Sequence, residues 1–301
     1  MSKSVILLSD KSSGSSAVQR ELVGSGKLLM ADWTPNAQNE TLYWIYSSAI
    51  LRLKQENMIY SNLPIDPAEA LEKWNQLLDK NLPDGFQKPK HVGVEQIFEG
   101  WRLLADRFGP AFFEKSPHHL HNWSSIQLML DCDRKYPDVD FKFIGLVRNP
   151  MDTIYSHWTR WNVDPNEKQF EWMNAYKNLI RLQETEPSKV ILVRYEDLVL
   201  DPNSISKVYD FLNLEMTENQ HRQLHAGSLS KWARDTSFGF QLDSSVVEFA
   251  TSLGYLPEQL QNSESWKWPI IRLLNKRSHR YMMLRKSGRK LLRRMRKSLK
   301  S

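Results

Sequence analysis

Short apolar runs alternate with segments of helical spacing along most of the chain. The first run, Ser4–Asp10, shows no alternation of apolar and polar residues, which is typical of a strand buried on both faces. Further apolar runs predict strands at residues 27–31, 111–113, 141–147 and 190–193, with helical segments between them. We therefore predict an α/β fold, a three-layer sandwich whose central parallel sheet of about five strands is flanked by helices.

The turn after the first strand has the composition of a phosphate-binding loop. A helix begins near Ser15, and the turn with its first helical residues comprises Lys11, Ser12, Ser13, Gly14, Ser15 and Ser16. Free backbone N–H groups at the helix start, hydroxyl donors and a nearby cation would meet in one small volume, as in a P-loop-like site. The alternative is a serine-capped helix without a ligand, because such turns are common.

The same loop disfavours ordinary nucleoside triphosphate chemistry. It lacks the Gly-Lys-Ser/Thr ending that binds the β- and γ-phosphates and Mg²⁺. A phosphorylated ligand without a bound metal fits these residues better. No metal-ligand spacing stands elsewhere in the sequence, so we predict no metal site.

Polar residues follow the strand predicted at 111–113 directly. Because open α/β sheets bind ligands at the carboxyl edge of their strands, Lys115, His118 and His119 are candidate site residues. The alternative for the two histidines is that they cap the next helix, predicted from His119 to Tyr136, and pack on its side chains.

Two carboxylates follow the strand predicted at 27–31. Asp32 and Glu40 are expected near the same sheet edge and are candidate site carboxylates. The alternative for Glu40 is a structural one, since a negative charge in the first turn of a helix favours the helix dipole.

A second informative stretch follows the strand at 141–147. Arg148 stands at the carboxyl edge, and Pro150 occupies a first-turn helix position that its missing N–H permits. Asp152 and Ser156 are four residues apart and share one helix face. A planar guanidinium with a nearby hydroxyl suits a terminal phosphate monoester.

Charge is distributed unevenly along the 301 residues, whose net charge is +6. Residues 271–301 contain 13 Lys and Arg and no Asp or Glu, whereas the rest of the chain carries 28 basic and 35 acidic side chains. Interleaved apolar residues predict a basic amphipathic helix that contacts an anionic membrane or an acidic polymer. A solvated, frayed helix is the alternative. Positive charge that is confined to one terminal segment does not predict specific nucleic-acid binding.

We predict one α/β domain over residues 1–265, followed by the basic tail at 266–301. Residues 55–92 contain several prolines and one amphipathic segment, which predicts an insertion over the sheet. The single cysteine, Cys132, excludes an internal disulfide framework and suits a reducing compartment. With neither a basic leader and cleavage site nor an apolar run of about 18 residues, we predict a cytoplasmic protein that the tail holds at the membrane periphery.

Together these stretches resemble the sulfotransferases that use 3′-phosphoadenosine 5′-phosphosulfate (PAPS). The first loop of that family reads Arg/Lys-Ser/Thr-Gly-Thr/Ser-Thr/Ser, and Ser13–Ser16 is similar to it. The family's second motif, Arg-x-Pro-x-Asp-x-x-x-Ser, is matched here by Arg148, Pro150, Asp152 and Ser156. The stretches 114–117 and 190–198 resemble two further landmarks, and the likeness extends with gaps over residues 4–232.

The resemblance implies transfer of the sulfuryl group of PAPS to a hydroxyl or amine, with release of 3′,5′-adenosine bisphosphate. The loop would hold the 5′-phosphosulfate, and Arg148 with Ser156 would hold the 3′-phosphate. Tyr195, Ser228 and Lys231 are implied as further nucleotide contacts. The acceptor stays open, with a carbohydrate or a lipid-linked glycan favoured.

The resemblance also implies a cation and a base. The family's loop cation occupies the place of Ser12, so Lys11 is expected to reach in from one residue earlier, with Lys115 as the alternative cation. Family members use a glutamate or a histidine as general base, and Glu40, Asp32, His118 and His119 all remain open.

Two other functions are compatible with parts of the sequence. A nucleoside-type kinase shares the strand, loop and helix but would need the Gly-Lys-Ser/Thr ending. A non-catalytic protein bound to a membrane or a polyanion would explain the tail but would leave the stretch from Arg148 to Ser156 without a role.

Overall fold

A computed structural model describes most of the chain, namely residues 2–82, 86–87, 89, 91–216, 224 and 226–274. The described residues form two compact units. The first contains the chain up to Arg148 together with Trp172–Leu229, and the second contains Asn149–Glu171 together with the chain from Ser230 onward. The domain boundary at residue 265 and the insertion at 55–92 stay predictions. Residues 275–301 of the predicted tail lie outside the described residues.

A parallel sheet forms the centre of the first unit. Its strands stand in the order β2, β1, β3, β4. They are β1 (Ser2–Ser9), β2 (Ala111–Lys115), β3 (Val139–Val147) and β4 (Val190–Arg194). In β1 every residue from Ser4 to Ser9 is buried, as expected for a strand covered on both faces. The α/β class and the parallel sheet are confirmed.

The predicted strand at 27–31 is wrong, so the described residues contain four strands rather than about five. Leu29 forms an isolated bridge to Phe112, with hydrogen bonds of 2.9 Å to the Ala111 oxygen and 2.7 Å from the Phe113 nitrogen. The neighbouring Lys27 is exposed, and Leu29 is 40 % exposed. With this face open to water, the segment lacks the burial that favours a longer strand.

Helices cover both faces of the sheet. In chain order the first ones are α1 (Ser15–Val23), α2 (Tyr43–Ile50), α3 (Pro67–Asn81), α4 (Val94–Arg107), α5 (His118–His121) and α6 (Trp123–Lys135). The helices that follow along the chain are α7 (Pro150–Trp161), α8 (Pro165–Thr185), α9 (Tyr195–Leu200), α10 (Ser206–Phe211), α11 (Lys231–Arg234) and α12 (Ser244–Ser252), and of these α7, α11, α12 and residues 165–171 of α8 belong to the second unit.

Alternate residues of the strands build two different cores. Val5 and Leu7 of β1 pack in one cluster with Val18 of α1, Leu198 of α9 and Val208 of α10. The opposite face is aromatic: the Trp101 ring centroid lies 4.9 Å from that of Trp44 and 5.1 Å from that of Phe112. The indole N–H of Trp101 donates to the Ser4 hydroxyl at 2.9 Å. The period of two along each strand therefore decides which layer a side chain enters.

The single helix predicted from His119 to Tyr136 is interrupted at Asn122. Its backbone is extended, with φ −123° and ψ 101°, between α5 and α6. The Asn122 amide accepts a hydrogen bond from the Glu56 nitrogen at 2.7 Å and donates to the His118 oxygen at 3.2 Å. These side-chain bonds compete with a continuous helix.

The second unit has its own apolar core. Met151, Ile154 and Trp158 of α7 pack with Trp232 of α11 and with Phe238. The cap of α7 is the Asn149 side chain, which accepts from the Met151 nitrogen at 2.8 Å, and Pro150 follows it in the first turn.

None of the described helices has the length and apolarity needed to span a bilayer.

Candidate active site

The loop between β1 and α1 presents several hydrogen-bond donors, which suit a group rich in hydrogen-bond acceptor atoms. Gly14 has a left-handed backbone at φ 88° and precedes the nine-residue helix α1. The first backbone N–H groups of any helix have no partner within it, and here they belong to Ser15 and Ser16. Within the described structure, the buried hydroxyls of Ser12 and Ser13 also have no hydrogen-bond partner. These donors fit an anion such as a phosphate or phosphosulfate.

Gly14 is required for two reasons. Its positive φ is strained for residues with a side chain. A Cβ at this position would also lie 2.2 Å from Cε2 of Tyr195, the first residue of α9. The loop therefore lies directly against the Tyr195 ring.

Replacing Gly14 with alanine should displace the loop and weaken anion binding. The matched control is Gly26→Ala, because Gly26 has φ 71° with no atom near the added methyl group. The control should lose about 1 kcal/mol of unfolding free energy from backbone strain alone, and Gly14→Ala should lose clearly more. Chemical denaturation of both variants measures the difference, and equal losses would show that the Tyr195 contact does not constrain the loop.

Arg148 joins the loop to two other segments of the first unit. Its guanidinium donates to the Ser12 carbonyl at 2.9 Å and to the Ser228 carbonyl at 2.8 Å. It lies over the Tyr195 ring, 4.9 Å from the centroid, and the Tyr195 and Ser228 hydroxyls are 3.4 Å apart. Arg148 is buried. The structure thus brings four sequence-predicted residues, Ser12, Arg148, Tyr195 and Ser228, into one cluster.

Lys115 is the cation at the first turn of α1. Its Nζ lies 3.4 Å from the Ser16 hydroxyl and 3.0 Å from Oε1 of Glu40, and the Lys115 side chain is 1 % exposed. Register places Lys115 opposite Leu7 on the sheet face that packs against α1. The Ser16 hydroxyl also donates to Gln38 at 3.0 Å. Glu40 and Lys115, two predicted catalytic residues, therefore form one buried ion pair beside the loop.

His118 stands next to this ion pair. Its Nδ1 is 3.8 Å from Oε2 of Glu40, and the His118 side chain is 11 % exposed. Burial, followed by the positive charge of Lys11 and then the nearby His119, His121 and Lys115, lowers the pKa of His118 to about 2. His118 is therefore neutral at neutral pH in the free protein.

The lowered pKa of His118 should appear as acid sensitivity. Between pH 6.5, the ordinary pKa of histidine, and pH 2, His118 is protonated in the unfolded chain but not in the folded protein. The free energy of unfolding therefore falls as the pH falls through this range. The slope contributed by this residue is about 1.4 kcal/mol per pH unit at most. Denaturation of His118→Gln across this range should show a shallower decline than the wild type. The exposed His91, replaced in the same way, is the control, and identical slopes for all three proteins would contradict the prediction.

Other sequence-predicted residues of the first unit lie in different surroundings. The Lys11 ammonium donates to the Tyr60 carbonyl at 3.0 Å. Asp32 is an exposed carboxylate 3.8 Å from Arg107, outside the cluster of Lys115 and Glu40. His119 is fully buried, and its Nε2 lies 3.1 Å from Oε2 of Glu114. A substrate hydroxyl or amine therefore cannot reach its ring.

Two predicted site residues belong to the second unit. Ser156 is half-buried on α7, and Lys231 is an exposed residue that begins α11. Their nucleotide-binding roles stay predictions from the resemblance.

Two further buried carboxylates near the loop, Asp10 and Glu114, are not among the predicted catalytic and binding residues. Oδ1 of Asp10 accepts from the Lys11 nitrogen at 2.7 Å and lies 2.9 Å from Nε2 of His121. Glu114 accepts from Thr41 at 2.9 Å and from the Ser116 hydroxyl. Both carboxylates sit at or next to the carboxyl end of a buried strand, and the same signal that indicated the edge at Glu114 could have identified Asp10.

Glu114 holds the segment before α2 at the end of β2. Burial alone would raise the pKa of Glu114, but the charge and hydrogen bond of His119, with the hydroxyls of Ser116 and Thr41, keep it below its usual value. The Ser116 hydroxyl in turn accepts from the Leu42 nitrogen at 3.1 Å. The Glu114 network therefore fixes the segment that carries Glu40.

Comparisons by sequence and by fold both find similarity to sulfotransferases. A sequence model described as "Sulfotransferase family" matches residues 66–218. The fold is similar to the sulfotransferase domain from the curacin biosynthetic pathway, with TM-score 0.56, 20 % identity, and coverage of 85 % of this chain and 99 % of that one. It is also similar to the sulfotransferase domain from the Synechococcus PCC 7002 olefin synthase, with TM-score 0.56, 19 % identity, and coverage of 84 % and 95 %. At these identities the likeness concerns the fold alone. A search of curated proteins gives no significant match.

Proposed function

The chain belongs to the sulfotransferase family, and from the site of its first unit we propose that it takes the sulfuryl group from PAPS and transfers it to an acceptor hydroxyl or amine. The family and the fold support sulfuryl transfer. The donor and the acceptor are proposals, drawn from the residues around the loop.

One observation carries the proposal of PAPS as donor. The guanidinium of Arg148 contacts the Ser12 carbonyl of the loop at 2.9 Å, although the two residues are 136 positions apart. The two segments that resemble the family's nucleotide motifs therefore meet, and an arginine suited to a phosphate monoester lies beside donors suited to a phosphosulfate. A ligand with anionic groups on both sides of an adenosine satisfies both.

The cations beside the loop suit the charge that develops in the reaction. As the acceptor attacks sulfur, the bond between sulfur and the bridging oxygen breaks, and negative charge grows on that oxygen as 3′,5′-adenosine bisphosphate leaves. We propose that Lys115 and the N–H groups of Ser15 and Ser16 stabilise this charge, because Lys115 already lies at the first turn of α1. The contacts move our preference for this role from Lys11, whose ammonium donates to the Tyr60 carbonyl, to Lys115.

Glu40 is the proposed general base. Its carboxylate is 13 % exposed and adjoins both Lys115 and His118, so an acceptor beside Ser16 can pass its proton to it. His118, with its lowered pKa, is a poor proton acceptor in the free protein, and its Nδ1 lies 3.8 Å from Glu40, beyond hydrogen-bond distance.

The acceptor is proposed to be a carbohydrate or a lipid-linked glycan. Support for a membrane-associated acceptor comes from the basic C-terminal sequence rather than from the loop cluster. A screen of alcohols, amines, sugars and glycolipids with PAPS labelled in the sulfuryl group identifies the acceptor class.

Protection against thermal unfolding tests the donor. 3′,5′-Adenosine bisphosphate should stabilise the protein by about 2.7 kcal/mol at a hundred times its dissociation constant, whereas ADP with Mg²⁺ should give much less. Stronger protection by ADP with Mg²⁺ would instead indicate a phosphotransferase, and protection by neither would remove the nucleotide assignment.

A further inference from the structure

The last described segment presents an apolar stripe to solvent. Trp266 is 79 % exposed, and Ile270, Leu273 and Leu274 are each more than half exposed. Ile270, Leu273 and Leu274 are three and then one residue apart, which places them on one side of the helix formed by residues 268–274, and Trp266 lies in the turn directly before that helix. We call these four residues the C-terminal stripe. Large apolar side chains grouped in this way mark an interaction surface.

The other side of the same segment fastens it to the second unit. The Trp268 ring centroid lies 5.0 Å from that of Trp158 and 5.0 Å from that of Phe238. Gly239 permits this approach, because a Cβ there would lie 2.7 Å from the Ser265 nitrogen. The stripe is therefore held outward by a packed core.

Two described cations belong to the same segment as the stripe, and the sequence beyond it is strongly basic. Lys267 lies over the Trp266 ring, 5.5 Å from its centroid, and Arg272 is anchored to Asp164 at 3.2 Å. The sequence that follows, residues 275–301, adds 12 Lys and Arg and no acidic residue. A partner for this surface must be anionic and must also offer apolar surface.

We infer that the C-terminal stripe is a docking surface for an anionic phospholipid membrane. The tryptophan and aliphatic side chains would enter the boundary between headgroups and acyl chains, while the basic residues remain at the anionic headgroups. An acidic polymer would satisfy the charge but would leave four large apolar side chains in water. The inference does not depend on which donor or acceptor the loop cluster binds.

Vesicle flotation tests the inference with the full chain. Vesicles of phosphatidylcholine with phosphatidylserine should recover the wild type, and vesicles of phosphatidylcholine alone should recover little of it. The variant Trp266→Ser/Ile270→Ser/Leu273→Ser/Leu274→Ser should bind the anionic vesicles at least about tenfold more weakly, because it loses the apolar contribution and keeps every basic residue. The matched control, Leu200→Ser/Met216→Ser/Leu256→Ser, removes exposed apolar side chains elsewhere and should bind like the wild type.

Two results would overturn the inference. One is equal flotation of the stripe variant and the wild type, which would show that charge alone holds the protein to the vesicle. The other is retention of the wild type on heparin or RNA without flotation on anionic vesicles, which would identify an acidic polymer as the partner. Circular dichroism confirms that the variants are folded, and because it requires no nucleotide, failure of the donor proposal leaves this test intact.

Discussion

Replacing Arg148 with alanine should weaken the binding of 3′,5′-adenosine bisphosphate by about a hundredfold or more. The guanidinium is buried and holds the carbonyls of Ser12 and Ser228 while it lies over the Tyr195 ring. Its loss removes a cation from the proposed nucleotide site and leaves two loop carbonyls without their donor. Calorimetric titration of the variant with the bisphosphate measures the effect.

Two further variants separate nucleotide binding from folding. Arg148→Lys keeps the charge but loses the planar fork that reaches two carbonyls, so it should bind with intermediate affinity. Arg102→Ala removes a partly exposed arginine that pairs with Glu99 and Asp106 on α4, and it should bind like the wild type. Wild-type affinity in folded Arg148→Ala would contradict the assignment of Arg148 to the nucleotide site.

Replacing Lys115 with methionine should lower kcat by about 10²- to 10³-fold and change the dissociation constant of the bisphosphate only a few-fold. A cation beside the bridging oxygen acts mainly on the charge that grows as the bond breaks, so its loss raises the barrier more than it weakens ground-state binding. Lys11→Met should cause a smaller loss, because the Lys11 ammonium donates to the Tyr60 carbonyl. Single-turnover kinetics with labelled PAPS measure both variants.

The effect of Lys115→Met on the stability of the fold needs a separate control. Lys115→Met leaves the Glu40 carboxylate without its cation, so Lys115→Met/Glu40→Gln reports whether the protein folds once that charge is also removed. Lys189→Met breaks a comparable ion pair with buried Asp133 away from the loop and should keep full turnover. Normal turnover in Lys115→Met together with a large loss in Lys11→Met would return the catalytic role to Lys11.

Features that depend on neighbouring residues were predictable from the sequence. Gly14, Lys115 and Arg148 each lie at or after the end of a strand. These strands were recognised because buried parallel strands are continuous apolar runs. Motif spacing indicated the family, which the match over residues 66–218 confirms. Two predictions from local patterns failed: the segment around Leu29 forms only one bridge because one of its faces is open to water, and side-chain bonds of Asn122 interrupt a helix.

Features that join distant residues required the folded chain. The sequence could place Lys115 at a strand end, but its contact with Ser16, 99 positions away, depends on how α1 packs on the sheet. The preference between Lys11 and Lys115, the pKa of His118 and the outward direction of Trp266 arise in the same way. The sequence by itself determined the fold class and the family, and it located the glycine turn between the first strand and the first helix, because backbone hydrogen bonding and hydrophobic periodicity act over a few residues. Only the tertiary structure decided which charges meet, because electrostatic interaction and burial depend on distance in space.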